Sequence, residues 1–166
     1  VQGVAAEAND MAFTITLTEV FSAAHAVRMP DGVLEPVHGH NWELRVTVGR
    51  AELDGTGFVM DFHDLEGQIK ALVGPLNNRC LNDVMDLNPT AEHVCLHVAR
   101  GLRLPREVWL VAVEVTEAPG CAAAYRPGET ARPGGPRLGG DVTEGARRGG
   151  REGSRESRGE GAGNLR

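Results

Sequence analysis

Three of the six histidines in the chain stand where their rings could share one cation. His38 and His40 are two residues apart in HGHNWELRVTVG, a run of alternating apolar and polar residues. A strand turns successive side chains to opposite faces, so His38, His40, Trp42, Leu44, Val46 and Val48 share one face. Asn41, Glu43, Arg45 and Thr47 take the other. His25 closes a similar row, Phe13, Ile15, Leu17, Phe21 and Ala23, interrupted by Glu19. The pair at 38 and 40 alone also fits two surface histidines, but all three rings end apolar rows, where an unpaired imidazole is costly to bury. Three neutral imidazoles with an open fourth position describe a catalytic zinc site.

The other candidate ligands fit less well. His93 and His97 are four residues apart, a helical spacing that can also hold zinc, but they fall off the apolar stripe of their segment and lack a third ligand nearby. They read as a solvated face, and His63 reads as an exposed loop residue. The three cysteines, Cys80, Cys95 and Cys121, form no C-x-x-C pair. Their odd number and wide spacing suit a reducing compartment better than a disulfide scaffold. No apolar run approaches the ~18 residues of a membrane span, and VQGVAAEAND has no basic segment leading into an apolar one. A cytoplasmic protein without a membrane partner is the expectation.

The elements that must position the histidines read as two strands, two helices and two strands. After the histidine-bearing strands, Leu65, Ile69, Leu72, Val73 and Leu76 follow a helical period, despite Gly67. A second helix is expected with Asn88 as N-cap, Pro89 at its first position, and Ala91, Val94, Cys95, Val98 and Leu102 as its apolar face; Leu104-Pro105 should stop it. VWLVAVEVTE (108–117), the turn pair Pro119-Gly120 and a short strand ending near Tyr125 predict a final hairpin. On simple alternation Glu117 ends a row made by Trp109, Val111, Val113 and Val115. A carboxylate there could accept paired N–H donors from a guanidine-like ring edge, or simply face water.

Composition sets the outer limits. The chain has 166 residues, 41% of them apolar and 4% aromatic, so its core must rest on Val, Leu and Ala and is modest enough to invite completion by neighbouring subunits. From Arg126 onward there are nine Arg against six Asp plus Glu and twelve of the 22 Gly. The net charge of −6 therefore leaves −9 on residues 1–125, which speaks against a nucleic-acid partner. Residues 11–126 read as one domain. Residues 127–166 read as a disordered Gly/Arg-rich tail that cannot bury enough surface to offset chain entropy.

The blocks F-S-A-A-H (21–25), H-G-H (38–40), G-F-V-M-D-F (57–62), L-N-D (81–83), N-P-T-A-E (88–92) and E-A-P (117–119) together resemble the 6-pyruvoyltetrahydropterin synthase and 6-carboxytetrahydropterin synthase family. The resemblance runs from about Phe13 to Tyr125. It implies an α+β tunnelling fold, ββααββ, with an antiparallel sheet and two helices on one face, assembled as a homo-hexamer of two trimers. It also implies zinc on His25, His38 and His40, and a pterin ring anchored by Glu117 with help from Thr90 and Glu92.

The chain departs from that pattern twice. Where members carry a catalytic Cys four residues before H-G-H, this chain has Leu34. Glu35 follows, giving E-P-V-H-G-H, which resembles a branch that cleaves dihydroneopterin triphosphate to 6-hydroxymethyl-7,8-dihydropterin in folate synthesis. In PLNNRCLND, Asn77-Asn78 replaces the usual Asp-His acid/base pair. The changes fit together, because a thiol of pKa near ~8.5 needs a neighbour to ionise it whereas a carboxylate is ionised unaided at neutral pH. The expected activity is a zinc-dependent carbon–carbon lyase with Glu35 as proton carrier. Alternatives are a 6-carboxytetrahydropterin synthase of queuosine synthesis and a non-catalytic zinc- and pterin-binding relative. Arg28 and Arg79 are candidate contacts for the triphosphate.

Overall fold

The computed structural model describes residues 12–128. The chain forms β1 (Phe13–His25), β2 (His38–Arg50), α1 (Phe62–Val73), β3 (Arg79–Cys80), a 3₁₀ turn (Leu81–Asp83), α2 (Ala91–Gly101), β4 (Val108–Ala118) and β5 (Cys121–Tyr125). The sheet order is β3-β1-β2-β4-β5. Every neighbouring pair is antiparallel except β1 and β3. α1 packs on β1 and α2 on β4 and β5, so both helices cover one face of the sheet. This is the expected α+β arrangement, with two additions: the two-residue edge strand β3 and the 3₁₀ turn.

β1 and β2 pair without a break from Phe13↔Arg50 to His25↔His38, so the parity read from each strand survives intact. Trp42, Leu44, Val46 and Val48 are fully buried beneath the helices, while Asn41, Glu43 and Arg45 stay exposed. Phe21 stacks on Trp42 with ring centroids 6.1 Å apart, and the Trp42 indole N–H donates to the Ala23 carbonyl. The apolar stripe of α1 is buried at Leu65, Ile69 and Val73. Leu76 is buried too, but from the turn after the helix, which closes at Gly74.

Four expectations need correction. The N-cap of α2 is Thr90, whose hydroxyl accepts from the His93 backbone N–H, because Asn88 is already engaged with Arg28; the helix ends at Gly101, before Leu104-Pro105. His63 lies in the first turn of α1, not before it. On β4, Thr47 pairs with Ala112 but Val48 with Leu110, leaving Val111 as the extra residue of a β-bulge. A bulge inverts the facing of everything beyond it. Trp109 therefore lies against Gly49 on the far side of the sheet, where a Cβ on Gly49 would come within 3.0 Å of its ring. Only Val113 and Val115 precede Glu117 on its row. The segment assigned to a tail lies outside the described residues beyond Gly128.

Candidate functional site

The site forms where the β1–β2 ribbon ends. Because His25 pairs with His38 and Ala23 with His40, the three rings gather on the helix side of two adjacent strands. Ring centroids are 4.7 Å apart for His25 and His38, 4.8 Å for His38 and His40, and 5.3 Å for His25 and His40. Trp42 forms the floor, edge-on to His25 at 4.9 Å and to His40 at 5.6 Å. His25 is wholly buried, and the other two rings open progressively toward solvent.

Backbone carbonyls orient two of the rings. His25 Nδ1 lies 2.7 Å from the Pro89 carbonyl and His38 Nδ1 lies 2.9 Å from that of Pro36. A carbonyl only accepts, so Nδ1 carries the proton in both rings and the neutral tautomer presents the Nε2 lone pair to the cluster. Burial pushes the His40 pKa below its ordinary value, with Glu117 opposing and the two neighbouring histidines reinforcing the shift. The buried Nε2 atoms of His25 and His40 have no hydrogen-bond partner. Leaving two such atoms unsatisfied is costly, and a bound cation would satisfy both. Nitrogen donors at this spacing suit zinc, so the residues present fit the metal expected from the sequence.

Glu117 completes the cluster. Its Oε1 lies 2.9 Å from His25 Nε2, 3.2 Å from His40 Nε2 and 4.0 Å from His38 Nε2. One ligand atom from each of the four residues falls within 4.8 Å of the others. The same carboxylate lines a pocket of about 370 Å³ with Glu35, Thr90, Glu92, Cys121 and Ala122. Glu35 is fixed there by its own loop: its Oε1 accepts the Val27 N–H at 2.8 Å and lies 3.9 Å from His38 Nδ1. Thr90 combines the pocket wall with the α2 cap, and Glu92 is held below its usual carboxylate range by its own backbone N–H and the Thr90 hydroxyl.

Two asparagines, Asn82 and the expected helix cap Asn88, hold the 26–37 connection in place, a role the sequence did not indicate for either. Asn82 accepts from the Ala26 N–H and donates to the Ala26 carbonyl, and Asn88 does the same for Arg28. Each side-chain amide thus copies a strand neighbour and extends β1 past His25 toward Glu35. Their presence in the L-N-D and N-P-T-A-E blocks was the available signal.

The remaining candidates lie apart from this cluster. His93 is tied to the Asn88 carbonyl and His97 to that of Leu72. Arg28 donates to the Gly32 carbonyl, and Arg79 lines a second pocket, of about 580 Å³, with Ser22, Asn41 and Asn78, which of the cluster only His40 borders. Beside that pocket Asn77 Oδ1 accepts the Ser22 N–H, and Asn78, in the left-handed region at φ 57°, donates its N–H to the Ser22 carbonyl. The Cys95 thiol is pushed up to about 11 by burial, as expected of a packing residue. Among the described residues, no helix is long and apolar enough to cross a membrane.

A helix-covered antiparallel sheet with a ligand-like imidazole cluster at one end defines an α+β domain with a candidate metal centre. The chain belongs to the 6-pyruvoyl tetrahydropterin synthase family, whose profile matches residues 14–128. It is 38% identical over 99 residues to a dihydroneopterin monophosphate aldolase of Pyrococcus furiosus, covering 58% of this chain and 82% of the relative. It is 32% identical over 119 residues to a 6-carboxy-5,6,7,8-tetrahydropterin synthase of Bacillus subtilis, covering 64% and 80%. The fold matches the Caenorhabditis elegans 6-pyruvoyl tetrahydropterin synthase structure with a TM-score of 0.60 at 21% identity, over 70% of this chain and 96% of that one. The expected tunnelling fold is therefore the fold of this chain, and its relatives are enzymes of pterin metabolism.

Proposed function

We propose that the protein is a zinc-dependent lyase that splits the side chain of 7,8-dihydroneopterin triphosphate and releases 6-hydroxymethyl-7,8-dihydropterin. The observation that carries this reading is the meeting of two carboxylates, Glu35 and Glu117, in one pocket beside the three-imidazole cluster. A pocket of about 370 Å³ suits a flat bicyclic ring with a short side chain. His25, His38 and His40 would hold the zinc, which supplies Lewis acidity toward side-chain hydroxyls when bound.

The chain's own groups divide the remaining work. Glu117 accepts the paired N–H donors of the pterin ring edge, and Thr90 and Glu92 form the wall beside it. One oxygen of Glu35 is held by Val27, which aims the carboxylate and leaves the other oxygen for proton transfer. Glu35 takes the proton from the hydroxyl on the second side-chain carbon. The bond between the first and second carbons breaks, and its electron pair moves into the ring imine while the departing fragment becomes an aldehyde. Glu35 then returns the proton to the first carbon. The proton count closes without an oxidant or reductant.

The aldolase name of the Pyrococcus relative supports a retro-aldol cleavage of a phosphorylated dihydroneopterin. A glutamate is the catalytic residue replaced by alanine or cysteine in solved Plasmodium vivax 6-pyruvoyltetrahydropterin synthases, so a catalytic carboxylate has a precedent on this fold, and Glu35 is our candidate for it here. The Bacillus relative's name favours 6-carboxytetrahydropterin as the second product to seek. Exposed Val20, Val33 and Val37 and, among the described residues, the uncovered edges at β3 and β5 support association with further copies of the chain, and the family resemblance makes the homo-hexamer the form to expect.

The test is incubation of zinc-loaded protein with dihydroneopterin mono- and triphosphate, followed by chromatographic separation. Formation of 6-hydroxymethyl-7,8-dihydropterin is the expected result. Unchanged substrate over fully loaded protein overturns the lyase reading in favour of a binding protein.

A further inference from the structure

We propose that Glu117 is a displaceable fourth ligand of the metal held by His25, His38 and His40, and that a pterin ring draws it away. This rests on the zinc reading above.

The first support is the way Glu117 meets the imidazoles. The Pro89 and Pro36 carbonyls place a proton on Nδ1 of His25 and His38, so in the neutral form both rings turn a lone pair rather than an N–H toward the cluster. Glu117 Oε1 nevertheless lies 2.9 Å from His25 Nε2 and 3.2 Å from His40 Nε2, while both nitrogens lack an aligned hydrogen bond. Lone pairs do not attract one another at that distance. Three imidazole nitrogens and one carboxylate oxygen within 4.8 Å form a donor set that a cation between them would reconcile.

The second support is that Glu117 belongs to two places at once. Among the described residues it alone is shared by the imidazole cluster and the pocket that contains Glu35. Two parallel N–H donors on a ring edge require both oxygens of a carboxylate in one plane. An oxygen turned into the imidazole cluster cannot meet that requirement. Ring recognition and metal ligation by Glu117 therefore exclude each other, and the ring would free a coordination position only when it is in place. Binding free energies are reciprocal, so each event must also be visible in the affinity of the other.

The experiment uses full-length protein and unsubstituted pterin, which has the ring edge but no side-chain hydroxyls to replace a lost ligand. Zinc affinity is measured by competition with a chromophoric chelator for the parent, Glu117→Gln and His25→Ala. Cobalt(II) absorption is recorded with and without saturating pterin. The expected result is at least a tenfold loss of zinc affinity in Glu117→Gln, with pterin shifting the parent's cobalt bands toward those of that variant. Parent-like zinc affinity in Glu117→Gln, or cobalt bands unmoved by pterin, overturns the proposal while leaving the three-histidine site standing. A parent that takes up no more zinc than His25→Ala overturns the site itself, and this proposal with it.

Discussion

The β1–β2 ribbon ends in two ways. Beyond the Phe13↔Arg50 end, the 51–58 turn satisfies its own polar groups: Asp54 Oδ1 accepts from the Thr56 N–H, the Thr56 hydroxyl and the Phe58 N–H. Those bonds hold the Asp54 carboxyl down at about 2. At the His25↔His38 end, the Nε2 atoms of His25 and His40 are buried, unlike the exposed Asp54 turn, yet remain without hydrogen-bond partners. The same two strands thus support a turn that is chemically complete and a site that is not. Buried polar groups are normally satisfied, so the withheld partners, more than the presence of histidine, mark the functional end.

The largest expected effect comes from breaking the incomplete end at its buried member. His25→Ala should lose bound zinc and all measurable turnover, checked by elemental analysis beside the product assay; retained stoichiometric zinc would count against the cluster. Glu35→Gln keeps the imidazoles and removes only the proposed proton carrier, so turnover should fall about 10²- to 10⁴-fold with zinc content unchanged. Undiminished activity would take Glu35 out of the mechanism.

The scaffold between the two groups should respond less. Asn82→Ala removes both amide bonds to Ala26 and should cost about 1–3 kcal/mol in urea unfolding. It should also reduce turnover more than zinc affinity, since the lost clamp lies between His25 and Glu35. Equal losses in both would mean that the clamp serves the metal ligands instead.

The smallest effect belongs to the complete end. Asp54 titrates at about 2 when folded against an ordinary 3.8, so its stabilisation is present above 3.8 and is lost as pH falls through 2. Asp54→Asn should therefore show a shallower fall in melting temperature than the parent between pH 4 and pH 2, with turnover at neutral pH unaffected. Parallel curves would show that the turn does not depend on the charge.

Much of this was legible by periodicity. Strand alternation placed His25, His38 and His40 on common faces because β1 and β2 pair without interruption. The same method failed on β4, where one extra residue at Val111 turned Trp109 away from the row of Glu117. Alternation carries no mark of where a bulge will fall. The cap of α2 failed for a related reason: Asn88 and Thr90 can both cap a helix, and Arg28, sixty residues earlier in the chain, claimed Asn88. Edge strand β3 was too short for any period to show.

The amino-acid sequence by itself determined the order of the two helices and four main strands, the buried row of β2 and the three imidazoles at the ribbon's end, because these follow from residue type and local spacing. Tertiary structure alone decided that the Glu117 carboxylate would reach those imidazoles, that Pro89 and Pro36 would set the tautomers of His25 and His38, and that two asparagines would extend β1 toward Glu35. Each of those contacts depends on where folding brings a backbone carbonyl or a side chain from another part of the chain, and local spacing does not encode that meeting.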